Sequence, residues 1–242
     1  MTDNINVLVW NEYRHEQSSE EIAKLYPKGI HGAIADSLQS RPEIGKIACA
    51  NLDESEQGLT KKRLAETDVI VWWSHIANDE VEDKIVDRLH EAVLGGMGLI
   101  VLHSAIQARI FRRLMGTSCR IRWREDGEKE RVWVTDPAHP IARGLDEFFE
   151  LQQTEMYGEP FDVPPPDELV FISWFEGGEI FRSGCCYHRG RGKIFYFRPG
   201  HETYPIYYDE NVLNVLYNAC LWAAPNNGPD PTFGNQAPLE ET

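Results

Sequence analysis

The stretch Gly95-Gly96-Met97-Gly98-Leu99-Ile100-Val101-Leu102-His103-Ser104-Ala105 constrains this chain more than any other, because an apolar run stops abruptly at two polar residues. The run is short, opens on glycines and shows no polar alternation. That pattern belongs to a strand buried on both faces, which requires a parallel sheet with helices above and below it. His103 and Ser104 then fall at the strand's carboxyl end, the edge where an open α/β sheet forms its ligand crevice.

Other segments repeat this design. Residues 5–10 form an apolar run that leads into Asn11-Glu12-Tyr13-Arg14-His15-Glu16, and residues 68–73 form one that leads into Ser74-His75. Residues 44–52 supply another strand. Helical spacing is present over 29–38 and, more briefly, over 59–66. Asn78 is placed to cap a helix whose Val81, Ile85, Leu89 and Val93 recur at four-residue steps until Gly95-Gly96 stops it. Strands alternating with helices predict a doubly wound, mainly parallel sheet with right-handed crossovers.

After a helix over 106–115 the period changes to two. Residues 120–124 and 130–134 alternate around Asp126-Gly127, which predicts an inserted β-hairpin. Residues 148–157 read as an extended piece, and 169–175, 178–187 and 193–198 as three more strands. The last of these ends in Pro199-Gly200-His201-Glu202. A final helix over 211–224 buries Val212, Leu216 and Ala219, and residues 225–242 read as an extended arm lying on this subunit or a neighbouring one. No repeat or linker divides the sequence, so a single domain spanning 1–242 is expected.

Charge narrows the partners. A formal net charge of −15 opposes binding to a nucleic-acid backbone or an anionic membrane. A neutral small molecule or a cation suits it better. With no basic-then-apolar leader and no long apolar span, a cytoplasmic protein is expected. The cysteines are odd in number and lack CxxC spacing, which predicts buried free thiols rather than disulfides or a thiolate zinc site.

Of the histidines, His15, His75, His103 and His201 each follow a predicted strand, and Glu12, Glu16, Glu155 and Glu202 are the carboxylates placed near the same edge. Imidazole and carboxylate together hold zinc or another divalent ion, or move protons near neutral pH. No HExxH spacing is present, so the ligands would come from separate loops. Ser104 sits where a nucleophile elbow would, but the Gly-x-Ser-x-Gly surround is missing. Of the tryptophans, one or two near the crevice would offer a stacking face to a sugar ring.

Six short motifs in order, Tyr13-Arg14-His15, residues 98–105, His139-Pro140-Ile141, Thr154-Glu155-Met156-Tyr157, residues 192–196 and Pro199-Gly200-His201-Glu202, resemble those of the ThuA-like trehalose-utilisation proteins. The resemblance runs roughly from residue 5 to 204 and implies a flavodoxin-like fold similar to the class I glutamine amidotransferases. Those enzymes carry a cysteine at the elbow and a His-x-Glu after the last strand. Here the elbow holds His103-Ser104, and Glu202 follows His201 directly, so amidotransferase activity is not expected. The resemblance implies handling of disaccharides or their keto derivatives, and its recurring positions are His15, His103, Glu155, Tyr157 and His201.

These lines lead to an expected enzyme that shifts a proton beside a carbonyl, by isomerisation or elimination, in a keto-disaccharide. Catalytic roles fall to His103, His201, Glu155 and Tyr157; substrate contacts fall to Glu12, Arg14, His75 and Glu202. A divalent ion, zinc or another, is assigned to His15, His103, His201 and Glu155. A homo-oligomer is expected, with no nucleic acid or membrane partner. The competing readings are a sugar-binding or regulatory module without turnover and a hydrolase using Ser104.

Overall fold

The structure, a computed structural model, describes residues 4–240 and is built on one nine-stranded sheet. The strands are β1 (Ile5–Asn11), β2 (Ile44–Asn51), β3 (Val69–Trp73), β4 (Gly98–Leu102), β5 (Arg122–Val134), β6 (Phe148–Gly158), β7 (Glu168–Phe175), β8 (Ile180–Arg189) and β9 (Gly192–Phe197). Their order across the sheet is β2-β1-β3-β4-β9-β8-β7-β5-β6. The first five in that order pair in parallel and the remainder antiparallel.

The helices are α1 (His15–Ser18), α2 (Glu20–Leu25), α3 (Gly29–Gln39), α4 (Lys61–Ala65), α5 (Asp83–Gly95), α6 (Arg109–Met115) and α7 (Glu210–Ala223). Among the described residues no helix is long and apolar enough to cross a membrane. The parallel half is buried on both faces, as a run without polar alternation demands. In β4, Leu99 and Val101 join the core that α4, α5 and α6 cover, while Ile100 and Leu102 join the core beneath α3 and α7.

Three local expectations are corrected. The predicted hairpin around Asp126-Gly127 is one continuous strand, β5, that pairs with β6 on one side and β7 on the other. Gly127, at φ +68°, relieves a register shift between Arg124 and Glu128. A glycine in that conformation serves a bulge as well as a turn, so period-two segments on either side could not tell them apart. The sheet is therefore mixed rather than mainly parallel. Asn78 does not cap α5, which begins after Glu82; its side chain instead binds Ser74 and the His75 carbonyl. All five cysteines are free, but Cys49 is exposed while the others are buried. Residues 225–240 form the arm and are exposed apart from Pro225; Arg191 binds it at Gly228 and Asp230.

Candidate active site

Strands β1, β3, β4 and β9 lie side by side and point the same way, so their carboxyl ends meet at one edge. Each delivers a histidine there: His15 after β1, His75 after β3, His103 after β4 and His201 after β9. The four rings form a contiguous group. His75 lies 5.0 Å from His15, 6.1 Å from His103 and 5.6 Å from His201, centre to centre, and His103 lies 5.4 Å from His201.

His103 is fully buried and has φ +52°, a conformation seldom taken by a residue with a side chain and held only where its surroundings enforce it. Here they do. Its Nδ1 donates to the Arg198 carbonyl at 2.9 Å, and its ring stacks on Tyr157 at 4.8 Å. At Gly200 an added Cβ would stand 3.0 Å from the His103 Cβ and 2.2 Å from the Tyr207 hydroxyl, so the chain there must be glycine to pass. Because a carbonyl can only accept, Nδ1 carries the proton and Nε2 presents its lone pair. That nitrogen lies 3.0 Å from Glu155 Oε2 and 3.3 Å from the Tyr157 hydroxyl.

Glu155, on β6, turns Oε2 toward His201 Nε2 as well, at 3.8 Å, yet this buried oxygen has no hydrogen-bond partner. His201 Nδ1 accepts from the Thr203 backbone N–H at 3.3 Å and lies 2.8 Å from the Thr203 hydroxyl, so the neutral ring carries its proton on Nε2. Glu202 stands between His15, 3.3 Å from Oε1, and His75, 3.1 Å from Oε2. Donor atoms of His103, Glu155 and His201 lie within 4.8 Å of one another, and so do those of His15, His75 and Glu202. The ligand set expected as one group is thus divided, with His15 on the far side of His75.

Electrostatics follow from burial. Burial, assisted by Arg198 and His75, outweighs Glu155 and pushes His103 below its ordinary value, so the ring is neutral. His201 is lowered to about 4, again by burial first and then by His103 and His75. Burial opposes ionisation of Glu202, but His75, His201 and His15 override it and hold the carboxyl at about 2. Glu155 also stays below its usual value against burial, through the three histidines facing it. Burial and Glu155 raise Tyr157 far above 10, which keeps its hydroxyl protonated.

Two expected contacts are corrected. Glu12 is fully buried and accepts from the backbone N–H groups of His75, Ile76 and Ala77 at 2.8 to 2.9 Å. Both oxygens are occupied in shaping the loop that carries His75, which leaves none for a substrate. Arg14 is spent on Asp53 and Glu80. Glu16 likewise binds Asn11 and the Ile30 N–H. Ser104 donates to the Ser74 carbonyl at 2.9 Å and has no imidazole among its hydrogen-bond partners, so it lacks the base a nucleophilic serine needs.

Some residues at the site carried no sequence signal. Arg198 and Glu130 form a fully buried ion pair directly beneath it, and Arg198 also donates to Thr154 Oγ1 and the Glu155 carbonyl. Its carbonyl fixes His103 and its guanidinium fixes Glu155. Glu125, within the misread hairpin, lies 3.6 Å from His201 Nε2; burial, Glu155 and Glu202 push its carboxyl up. A cleft of about 360 Å³ opens from the site, lined by His75, Glu155, Tyr157, Glu125, Gln107 and Trp123 among others. Trp123 stands at its rim, 66% exposed.

A sheet of this order, with a strained histidine at the β4 elbow and imidazoles along one edge, defines a mixed α/β protein with its candidate site at the carboxyl ends of the parallel strands. The match of the family model for ThuA, trehalose utilisation, to residues 6–223 is more specific: the chain belongs to that family, with a role in trehalose utilisation. A ThuA-like protein of Parabacteroides merdae superposes with a TM-score of 0.69 at 13% identity, covering 94% of this chain and 93% of the other. A Salmonella typhimurium protein described as cytoplasmic gives 0.61 at 14% identity, covering 91% and 99%. The PurLQS structure of Thermotoga maritima gives 0.55 at 11% identity, covering 92% and 99%. At such identities the likeness establishes the fold alone. No curated protein matches the sequence.

Proposed function

We propose that this chain is an enzyme of disaccharide utilisation that moves a proton beside the carbonyl of a keto-disaccharide, by isomerisation or elimination, with a divalent ion at His103, His201 and Glu155. One observation carries the reading. A neutral imidazole whose proton is committed to a carbonyl directs its lone pair at an ionised carboxylate oxygen 3.0 Å away, and that oxygen has no donor. Two lone pairs held so close repel unless a proton or a metal ion lies between them. Two histidines and one glutamate are also the donor set of an open zinc site, with positions left for substrate. Such an ion, when bound, would polarise the substrate carbonyl.

The chain's own groups account for the remaining chemistry. Glu125, partly exposed at the cleft and raised above the usual carboxylate value by burial and by Glu155 and Glu202, is placed to take the proton from carbon. The Tyr157 hydroxyl, displaced from His103 Nε2 when that nitrogen is ligated, becomes a donor for the developing oxyanion. Trp123 offers its exposed face to a sugar ring at the rim of the cleft.

The test is turnover of keto-trehalose by purified protein, followed by product analysis with and without a chelator. Metal-dependent isomerised or eliminated product is expected. Binding of keto-trehalose with no product under any metal would replace this reading with that of a sugar-binding module.

A further inference from the structure

We propose that the site is dinuclear, with His15, His75 and Glu202 holding a second divalent cation beside the first; the inference rests on the reading above and extends it. Like the first group, this one has two imidazoles and a carboxylate with donor atoms within 4.8 Å of one another. Tetrahedral zinc with bonds of about 2.0 to 2.1 Å sets its ligand atoms about 3.3 Å apart. The His15 to Glu202 and His75 to Glu202 separations are 3.3 and 3.1 Å.

Two observations point to a cation and are independent of that spacing. The first concerns His15. Its Nε2 is buried without any partner, and its Nδ1, though 3.3 Å from Glu202, is out of line for a hydrogen bond. The ring is only partly buried, with 16% of its side chain exposed, but its Nε2 is sealed from water, and a sealed nitrogen without a partner needs one, which ligation would supply. The second concerns charge. Glu125, Glu155 and Glu202 converge on the histidines, and among the described residues none of the three pairs with lysine or arginine. Arg198 is committed to Glu130. One divalent ion leaves the three carboxylates at a net −1, which still attracts a cation, and a second brings the sum to +1.

Glu202 lies between the groups, its Oε2 3.8 Å from His201 Nδ1, and His75 opens onto the cleft. A pair of cations there would engage two neighbouring oxygens of one ligand. The substrate class this selects is a sugar with a carbonyl and a hydroxyl on adjacent carbons.

The experiment is titration of chelator-stripped protein with Zn²⁺ alone, read by calorimetry and by metal content after gel filtration. Two equivalents are expected for the parent chain, one for the H15A/H75A variant and one for H103A/H201A. A single equivalent abolished by H103A/H201A but untouched by H15A/H75A overturns the second site and leaves the first. A single equivalent abolished by either variant means one shared ion and also overturns it. No zinc in the parent chain overturns both readings. His15→Gln loses no hydrogen bond, so it keeps its fold if H15A/H75A does not, and it should lower the affinity of one equivalent only, by at least tenfold; unchanged affinity for both overturns the second site.

Discussion

Two regions of this molecule hold the same kinds of donor atom and use them differently. Beneath α7, His139, Glu168 and Cys186 come as close together as metal ligands do. Yet His139 accepts from the Ile141 N–H at Nδ1 and pairs with Glu168 at Nε2, 2.9 Å away, while burial pushes the Cys186 thiol far up. Every group there has a partner. At the carboxyl edge of the parallel strands, by contrast, His15 Nε2 and Glu155 Oε2 are buried with none. Proximity of histidine and carboxylate is therefore poor evidence for a metal. What separates the two regions is unmet hydrogen-bonding capacity on atoms placed to share an ion: Glu16 Oε2, Ser183 Oγ and the Tyr187, Tyr196 and Tyr207 hydroxyls are also buried without partners, but none belongs to a group of histidine and carboxylate with ligand spacing.

The largest expected effect tests that separation directly. Replacing both His103 and His201 by alanine should lower turnover of keto-trehalose by about 10²- to 10⁴-fold, the scale of a lost acid/base or ligand set, with circular dichroism unchanged. His139→Ala should leave turnover within about twofold, as a structural contact outside the site would. Equal losses in the two would erase the distinction. Next comes Glu130→Ala. It strands the Arg198 guanidinium in a fully buried position and should cost about 3 to 5 kcal/mol in urea unfolding. Because Arg198 holds the Glu155 carbonyl through its side chain and His103 through its own carbonyl, Zn²⁺ affinity should fall about 10- to 100-fold as well.

Acid supplies a third test, on metal-free protein. His201 titrates at about 4 in the folded chain against an ordinary 6.5, so the unfolded chain takes up this proton first as the pH falls. Its stabilising contribution is present above about 6.5 and is lost between there and 4. Glu202, held at about 2 against an ordinary 4.5, adds a second loss that begins below 4.5. His75 is raised and acts with the opposite sign, its contribution being present below 6.5 and fading as the pH passes its folded value. The unfolding free energy should thus fall from pH 6.5 to 4, and in His201→Ala that fall should be smaller by about 1 to 3 kcal/mol. An unaltered slope in the variant would show that His201 is not the neutral, buried ring described here.

The parallel half of the fold and the convergence of the candidate site's histidines at one edge were legible in the sequence for one reason: their signals are local. An apolar run followed at once by a polar residue marks both a buried strand and its functional end, which is how His75, His103 and His201 can be placed before any contact is known. The antiparallel half was less legible because Asp126-Gly127 permits a turn or a bulge, and only pairing with β6 and β7 decides which. The same misreading hid Glu125. Arg198 and Glu130 were illegible for a different reason, since charged residues within strands give no sign of meeting across the sheet. Glu12 and Arg14 were placed near the right edge but in the wrong role. Position along a strand says where a side chain arrives, and only its partners say whether it is still free.

The smallest expected effect closes the comparison from its other side. His139→Ala removes the hydrogen bond to Ile141 and the contact with Glu168, which is half-exposed and can turn to water. The loss should be about 1 kcal/mol, that of an ordinary hydrogen bond with one partner able to resolvate, measured by urea unfolding. Zinc stoichiometry should not change. A reduction by one equivalent would mean that His139, Glu168 and Cys186 bind metal despite their satisfied hydrogen bonds. Unmet hydrogen-bonding capacity would then no longer distinguish the two regions, and the assignment of ions at the strand ends would have to stand on spacing and charge alone.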